Sequence, residues 1–263
     1  MKKIKIKKRT SDVIALAKKF FRRSTIESQA INDAPIVISL GGSLIIPDEI
    51  DWLFLKKFKK LIIGEIKKGK KFIIVAGGGA TARRYQKAAK LAERLTRDDS
   101  DWIGIHATRL NAHLIKTIFR RFAHPRINKN PQTDEKLENS FADGSSILIA
   151  AGWRPGWSTD YVAAVLAQRF GSKILINLSN IQYVCDKDPR KFKNAKQIKN
   201  ISWKNFRSIV GNKWDPGLNV PFDPVASRLG EKIGLKVIIT EGKNLKNLKN
   251  ILANKKFQGT VIE

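Results

Sequence analysis

Residues 72–79 read Phe-Ile-Ile-Val-Ala-Gly-Gly-Gly, and residues 36–43 read Ile-Val-Ile-Ser-Leu-Gly-Gly-Ser. Each is a short run of β-branched and large apolar side chains that stops on glycine, which predicts a strand ending in a glycine turn. Working outward, the same unit recurs. Helical spacing follows at about 50–68, and a helix opens directly after Gly79. A long helix is expected from about Ser100 to Phe122. Ile147–Ala150 is a third strand, ending in Ala151-Gly152, with a helix beginning near Ser158. Lys173–Leu178 is a fourth strand. Leu235–Thr240 is a fifth, ending in Glu241-Gly242, and Thr260–Ile262 is a short last one. Strand, glycine turn and helix in alternation mean parallel βαβ units with right-handed crossovers, so the expected class is α/β.

The 263 residues suffice for one large domain or two small ones. Residues 1–34 stand apart from the alternating body. They hold ten Lys/Arg against three acids, with helical apolar spacing in Asp12–Phe21 and a break at Asn32–Pro35. We therefore expect a basic N-terminal extension at 1–34 and the folded domain at 35–263. The stretch 124–144 lacks periodicity and reads as a long loop.

Composition excludes several classes. No apolar run approaches the roughly 20 residues that span a bilayer. The basic start is not followed by the uninterrupted apolar stretch of a secretory signal. The lone Cys185 leaves no internal disulfide and suits a reducing cytoplasm. No Cys/His spacing suggests zinc, and His106 and His113, seven apart on one helix face, suit packing or an interface. The net charge is +28, of which the first 34 residues contribute +7. A field of that sign attracts polyanions such as RNA, and it also suits a lysine-rich proteome.

Three glycine turns at the carboxyl ends of parallel strands, Gly41-Gly42, Gly77–Gly79 and Gly152, are where ligands bind in such folds. Glycine lets backbone N–H groups approach a phosphate. None of the three turns has the G-x-x-x-x-G-K-[ST] spacing of a P-loop.

Six stretches then occur in order: Gly41-Gly42-Ser43, GGGATAR (77–83), DWIGIHATRLNA (101–112), PGWSTD (155–160), DKDPRKF (186–192) and NVPFDPVAS (219–227). Over about 35–263 the chain resembles the uridylate (UMP) kinases of the amino-acid kinase superfamily, especially their archaeal-type branch. That resemblance implies a three-layer αβα sandwich around a mainly parallel sheet. It also implies ATP with Mg²⁺, phosphoryl transfer to UMP, and a homo-oligomer, commonly a hexamer. It places Gly41, Gly42 and Ser43 along the transferring phosphates, and Gly77, Gly78, Gly79 and Arg83 at the UMP phosphate. Asp101 would bind the ribose hydroxyls, unless it caps the helix that follows it. Ser158, Thr159 and Asp160 would lie near the acceptor nucleotide, with helix capping as the alternative for Asp160. Asn180, Asp186 and Asp188 would belong to the ATP side. Asp223 would orient a catalytic lysine or the metal region.

Ser39 stands where many members of the superfamily have a lysine, which the archaeal-type UMP kinases also lack. The chain departs from that branch at Ala80, where a lysine is usual, at Gln182 and Cys185 in the ATP loop, and at Arg228, where a lysine is usual. Lys187, Arg154 and Arg228 remain as candidate cations. Two functions follow from these residues. One is a UMP kinase. The other is a weakened kinase-fold protein that docks on RNA or a ribonucleoprotein through its basic surface.

Overall fold

Along each central strand, alternate side chains enter different cores. Ile38, Leu40, Ile74 and Ile149 face one layer of helices, while Val37, Ile73, Val75 and Leu148 face the other. Strands buried on both faces need helices on both sides, which explains why the apolar runs show no polar alternation. The computed structural model describes residues 34–132, 141–211 and 220–263. The extension 1–34, with its helix at Asp12–Phe21, lies outside the described residues apart from Ala34, as do 133–140 of the expected loop and Asn219 of the last motif. Pro35–Glu263 form one compact unit.

In chain order the elements are β1 (Ile36–Leu40), α1 (Gly42–Ile45), α2 (Trp52–Ile66), β2 (Phe72–Ala76), α3 (Gly79–Ala92), α4 (Arg97–Ile118), β3 (Ile147–Ala150), α5 (Thr159–Arg169), β4 (Ile174–Ser179), β5 (Val184–Cys185), β6 (Gln197–Ile198), β7 (Asn200–Ile201), α6 (Trp203–Val210), α7 (Pro224–Lys232), β8 (Lys236–Glu241), α8 (Leu245–Leu252) and β9 (Thr260–Ile262). The seven-stranded sheet has the order β3-β2-β1-β4-β8-β9-β7. Only β9 runs antiparallel to its neighbour β8. The sheet is therefore mainly parallel, as the sequence predicts. Helices α2 and α8 and the end of α4 pack on one face through Phe58, Ile115 and Leu248. Helices α5, α6 and α7 cover the other through Leu166, Phe206 and Ala226. The small β5–β6 hairpin is tied to β9 by the Val184 amide, which donates to the Thr260 hydroxyl at 2.8 Å. Among the described residues no helix is long and apolar enough to cross a membrane.

Three expectations shift. The long helix begins at Arg97, not Ser100, because Thr96 and Asp99 form a capping box in which each side chain accepts from the other's backbone N–H. Strands β4 and β8 each sit one residue later than expected, because their pairing continues through Ser179 opposite Glu241. The start of the 124–144 stretch is not free loop. The amides of His124 and Asn128 donate to Ile147 and Ile149 at 2.8 and 2.9 Å, so this segment runs beside β3.

Candidate active site

Four parallel strands, β3, β2, β1 and β4, end side by side, and the glycine turns follow three of them. The turns after β1 and β2 touch through backbone alone. A Cβ on Gly42 would lie 2.0 Å from the Gly79 nitrogen, and one on Gly77 would lie 2.4 Å from the Gly42 nitrogen. Gly79 adds a positive φ of 65°. Side chains are sterically excluded here, so main-chain groups alone build the floor of the cleft.

Strand alternation places Ser39 and Asn177 on the face toward α5. They are direct partners across the β1–β4 ladder. Both donate to one oxygen of Asp160 in the first turn of α5, Ser39 at 3.0 Å and Asn177 at 3.2 Å. The other oxygen accepts from the Asp223 backbone N–H at 3.3 Å. Burial of the carboxyl, with the Asp223 carboxylate beside it, pushes Asp160 up to about 7. Asp223 caps α7, its Oδ1 accepting from Ala226 at 2.6 Å, and Pro224 occupies the first helical position. Its pKa is also raised, by burial. Its Oδ2 is buried and has no hydrogen-bond partner. Two adjacent carboxylates, one with an unsatisfied buried oxygen, form a place where a cation or a proton is favoured.

Ser158 caps α5 by accepting from Tyr161 at 3.1 Å, which leaves Asp160 free of that duty. Asp101 does not cap α4, since Thr96 does. Its carboxylate instead accepts from Gly156 in the loop after β3 at 2.7 Å, and burial raises its pKa. In that loop the Arg154 guanidinium lies 4.1 Å over the Trp153 ring and 5.8 Å over Trp157.

The chain matches the model of the amino acid kinase family over residues 34–241. The chain belongs to that family. A uridylate kinase of Thermoplasma volcanium is 36% identical over 229 residues, covering 87% of this chain and 97% of that protein. A uridylate kinase of Methanospirillum hungatei is 34% identical, covering 86% and 94%. Among solved structures, the uridylate kinase of Archaeoglobus fulgidus superposes with a TM-score of 0.72 at 28% identity, covering 87% of this chain and all of that one. A UMP kinase structure from Bacillus anthracis, 18% identical with a TM-score of 0.67, shares the fold.

Within this member of the family, most of the expected site residues fall into two groups, with Arg83 on α3, Asp101 on α4, and Asp223 and Arg228 at the start of α7 and within it. Gly41, Gly42, Ser43, Gly77, Gly78, Gly79, Ser158, Thr159, Asp160 and Asn180 all sit at or just beyond the carboxyl ends of β1, β2 and β4 or at the start of α5. Asp186, Lys187 and Asp188 occupy the connection of the β5–β6 hairpin. There Asp186 accepts from the Lys196 amide at 2.8 Å, and the Lys187 ammonium lies 5.5 Å from the Phe192 ring centre. Asp188 forms a bidentate pair with Arg190 that holds its carboxyl down to about 2. Arg83 is exposed on α3 and donates to the Pro47 carbonyl at 3.2 Å. Arg228 is exposed on α7, where its charge opposes the upward shift of Asp223.

Sequence reading gave no role to Ser39 or Asn177. The signal was a single polar residue inside each of two apolar strands, which only the strand register turns into a pair.

Proposed function

We propose that this chain is a uridylate kinase, transferring the γ-phosphoryl group of ATP to UMP to give ADP and UDP. The observation that carries this reading is 36% identity to a uridylate kinase across 97% of that protein's length. The backbone-walled glycine turns and the Asp160–Asp223 pair at the strand ends support it.

Phosphoryl transfer asks a protein for alignment and charge compensation rather than covalent chemistry. In this reading the Gly41-Gly42-Ser43 turn lies along the transferring phosphates, while Gly77–Gly79 and Arg83 hold the UMP phosphate. Asp101 serves the ribose, and Ser158, Thr159 and Asp160 line the reaction centre. Asn180, Asp186 and Asp188 serve the ATP side. The orphaned Oδ2 of Asp223, beside Asp160, fits Mg²⁺, which takes one or two carboxylates and completes its shell from phosphates and water. Among the described residues no group of three or more His, Cys, Asp or Glu could hold a metal ion, so the nucleotide's own oxygens would supply the remaining ligands. An ion held there would supply neutralisation of charge on the phosphates. With Ala80 where a lysine is usual, and Ser39 offering none, the protein's cationic help falls to Arg228, whose charge acts on Asp223, then to Arg154 and Lys187. The RNA-docking alternative rests on residues 1–34 and on net charge, and nothing in the described residues or the relatives favours it.

We also assign a homo-oligomer, for which the resemblance suggests a hexamer. Tyr85 and Leu91 on α3 and Trp102 and Leu110 on α4 are 42–80% exposed, an apolar face that association would cover.

Purified protein with Mg-ATP and UMP should form UDP in a coupled assay, and no UDP above background would refute the function. Arg83→Ala should weaken UMP binding by about ten- to a hundredfold, the scale of one charge-assisted phosphate contact. Calorimetry with UMP measures this, and unchanged affinity would remove Arg83 from the site.

A further inference from the structure

Helix α4 carries a group of side chains that reach sideways into two loops rather than into a core. Asn111, 1% exposed, donates through its amide nitrogen to the carbonyls of Gly77 at 2.7 Å and Gly78 at 3.1 Å. One turn earlier, the Thr108 hydroxyl donates to Ile105 within the helix and accepts from the Gly152 amide at 2.8 Å. Arg109 donates to the carbonyls of Gly152 at 3.4 Å and Trp153 at 2.9 Å. Asp101, seven residues before Thr108 and so on the same helix face, receives the Gly156 amide.

The two loops bound in this way follow β2 and β3 and make no hydrogen bond to each other among those described. Thr108 bonds one loop and neighbours the other. Its hydroxyl meets Gly152, and its methyl lies 3.7 Å from where a Cβ on Gly78 would stand. Gly152 itself has no room for a side chain, since an added Cβ would lie 2.9 Å from that hydroxyl. The contacts also have a direction. By engaging the Gly77 and Gly78 carbonyls, Asn111 fixes the plane of the two peptides whose nitrogens belong to Gly78 and Gly79. Arg109 does the same for the peptides after Gly152 and Trp153, and its planar fork allows less rotation than an ammonium would.

We infer that Thr108, Arg109 and Asn111 are positioning residues that make α4 a spacer, setting the distance and peptide orientation between the glycine turn after β2 and the loop after β3. This rests on the UMP kinase reading, in which both loops line the acceptor side. None of the three touches substrate. The ATP side, built from β1, β4 and the hairpin, receives no hydrogen bond from them.

The test is steady-state kinetics on Arg109→Ala, Arg109→Lys, Asn111→Ala and Thr108→Val, with UMP and Mg-ATP varied separately. Thr108→Val keeps the shape and removes the acceptor for the Gly152 amide together with the hydroxyl's bond to the Ile105 carbonyl inside the helix, so it is the most conservative in shape of the four variants. We expect KM for UMP to rise about tenfold or more in the alanine variants, with KM for Mg-ATP within twofold of the parent. Arg109→Lys should recover part of the loss. Calorimetric UMP affinity should fall in parallel, including for any variant too slow to assay. A purely structural role gives a different pattern: lower melting temperature and less active enzyme, but unchanged KM for both substrates. That pattern in Thr108→Val and Arg109→Lys would overturn the inference. Absence of UMP kinase activity in the parent would instead refute the function, so the two failures are distinct.

Discussion

Replacing Asp160 with asparagine is expected to remove a pH dependence from the protein's stability. The carboxyl moves from an ordinary 3.8 to about 7 in the folded chain. Below pH 3.8 it is protonated in both states. Between about 4 and about 7 the folded form holds a proton that the unfolded form has lost, so stability falls as pH rises through this window. Above about 7 both forms are ionised and the loss is complete. The groups facing Asp160 are Ser39, Asn177 and Asp223, and of these only Asp223 titrates. Thermal melts of the parent from pH 5 to 8 should therefore slope downward, and Asp160→Asn should flatten most of that slope and melt higher at pH 8. The same variant should lower UMP turnover by about a hundredfold or more, the scale for losing one fixed electrostatic group at a reaction centre. Parallel slopes in parent and variant would show that Asp160 titrates normally.

Gly42→Ala should have the largest structural effect of any single methyl group in the domain. The new carbon would stand 2.0 Å from the nitrogen and 2.6 Å from the Cα of Gly79, and 2.7 Å from the nitrogen of Gly78. All three are backbone atoms and cannot swing aside. Overpacking usually costs about 1–3 kcal/mol where side chains can shift, and this contact belongs at or beyond the upper end of that range. Either the turns after β1 and β2 separate or the chain fails to fold, and turnover is lost in both cases. Gly64→Ala is the matched control. It lies inside α2 with nothing within 4 Å of an added Cβ, so it should stabilise by about 0.5–1 kcal/mol through helix propensity. Denaturant unfolding of the two variants should move in opposite directions from the parent. A Gly42→Ala protein with parental stability and turnover would mean that the two turns are not in contact.

The parallel body of the sheet was legible because β1, β2 and β3 are apolar runs that end on glycine, a signal that depends on no distant residue. The short elements were not. β5, β6 and β7 have two residues each, too few for periodicity, and exist because their neighbours pair with them. The true start of α4 was written in Thr96 and Asp99, upstream of the apolar spacing that drew attention to the helix. In the site, the glycine turns stood out by position, and Asp160 through the resemblance of its motif to the family's. The Ser39–Asp160 bond did not, because it joins residues 121 apart in the chain. Asn111 and Arg109 lay inside a quoted motif, yet their contacts are to main-chain carbonyls, which no side-chain pattern announces.

Helix α3 is held unevenly. Gly79, Ala80 and Ala82 are buried at its start, and from Arg83 to Ala92 no residue is fully buried. It is clamped by the core at the glycine end, and its outer turns are held by surface polar contacts, Arg84 with Asp48 and Gln86 with the Ser100 carbonyl at 2.8 Å. Arg83 stands at the edge of the clamp, the first exposed position beyond it. In the proposed function a phosphate seated against the glycines would meet the clamped end, and Arg83 would reach it from the exposed turns by leaving the Pro47 carbonyl. Substitutions in the outer turns would therefore change the setting of that arginine while leaving the sheet and both cores undisturbed.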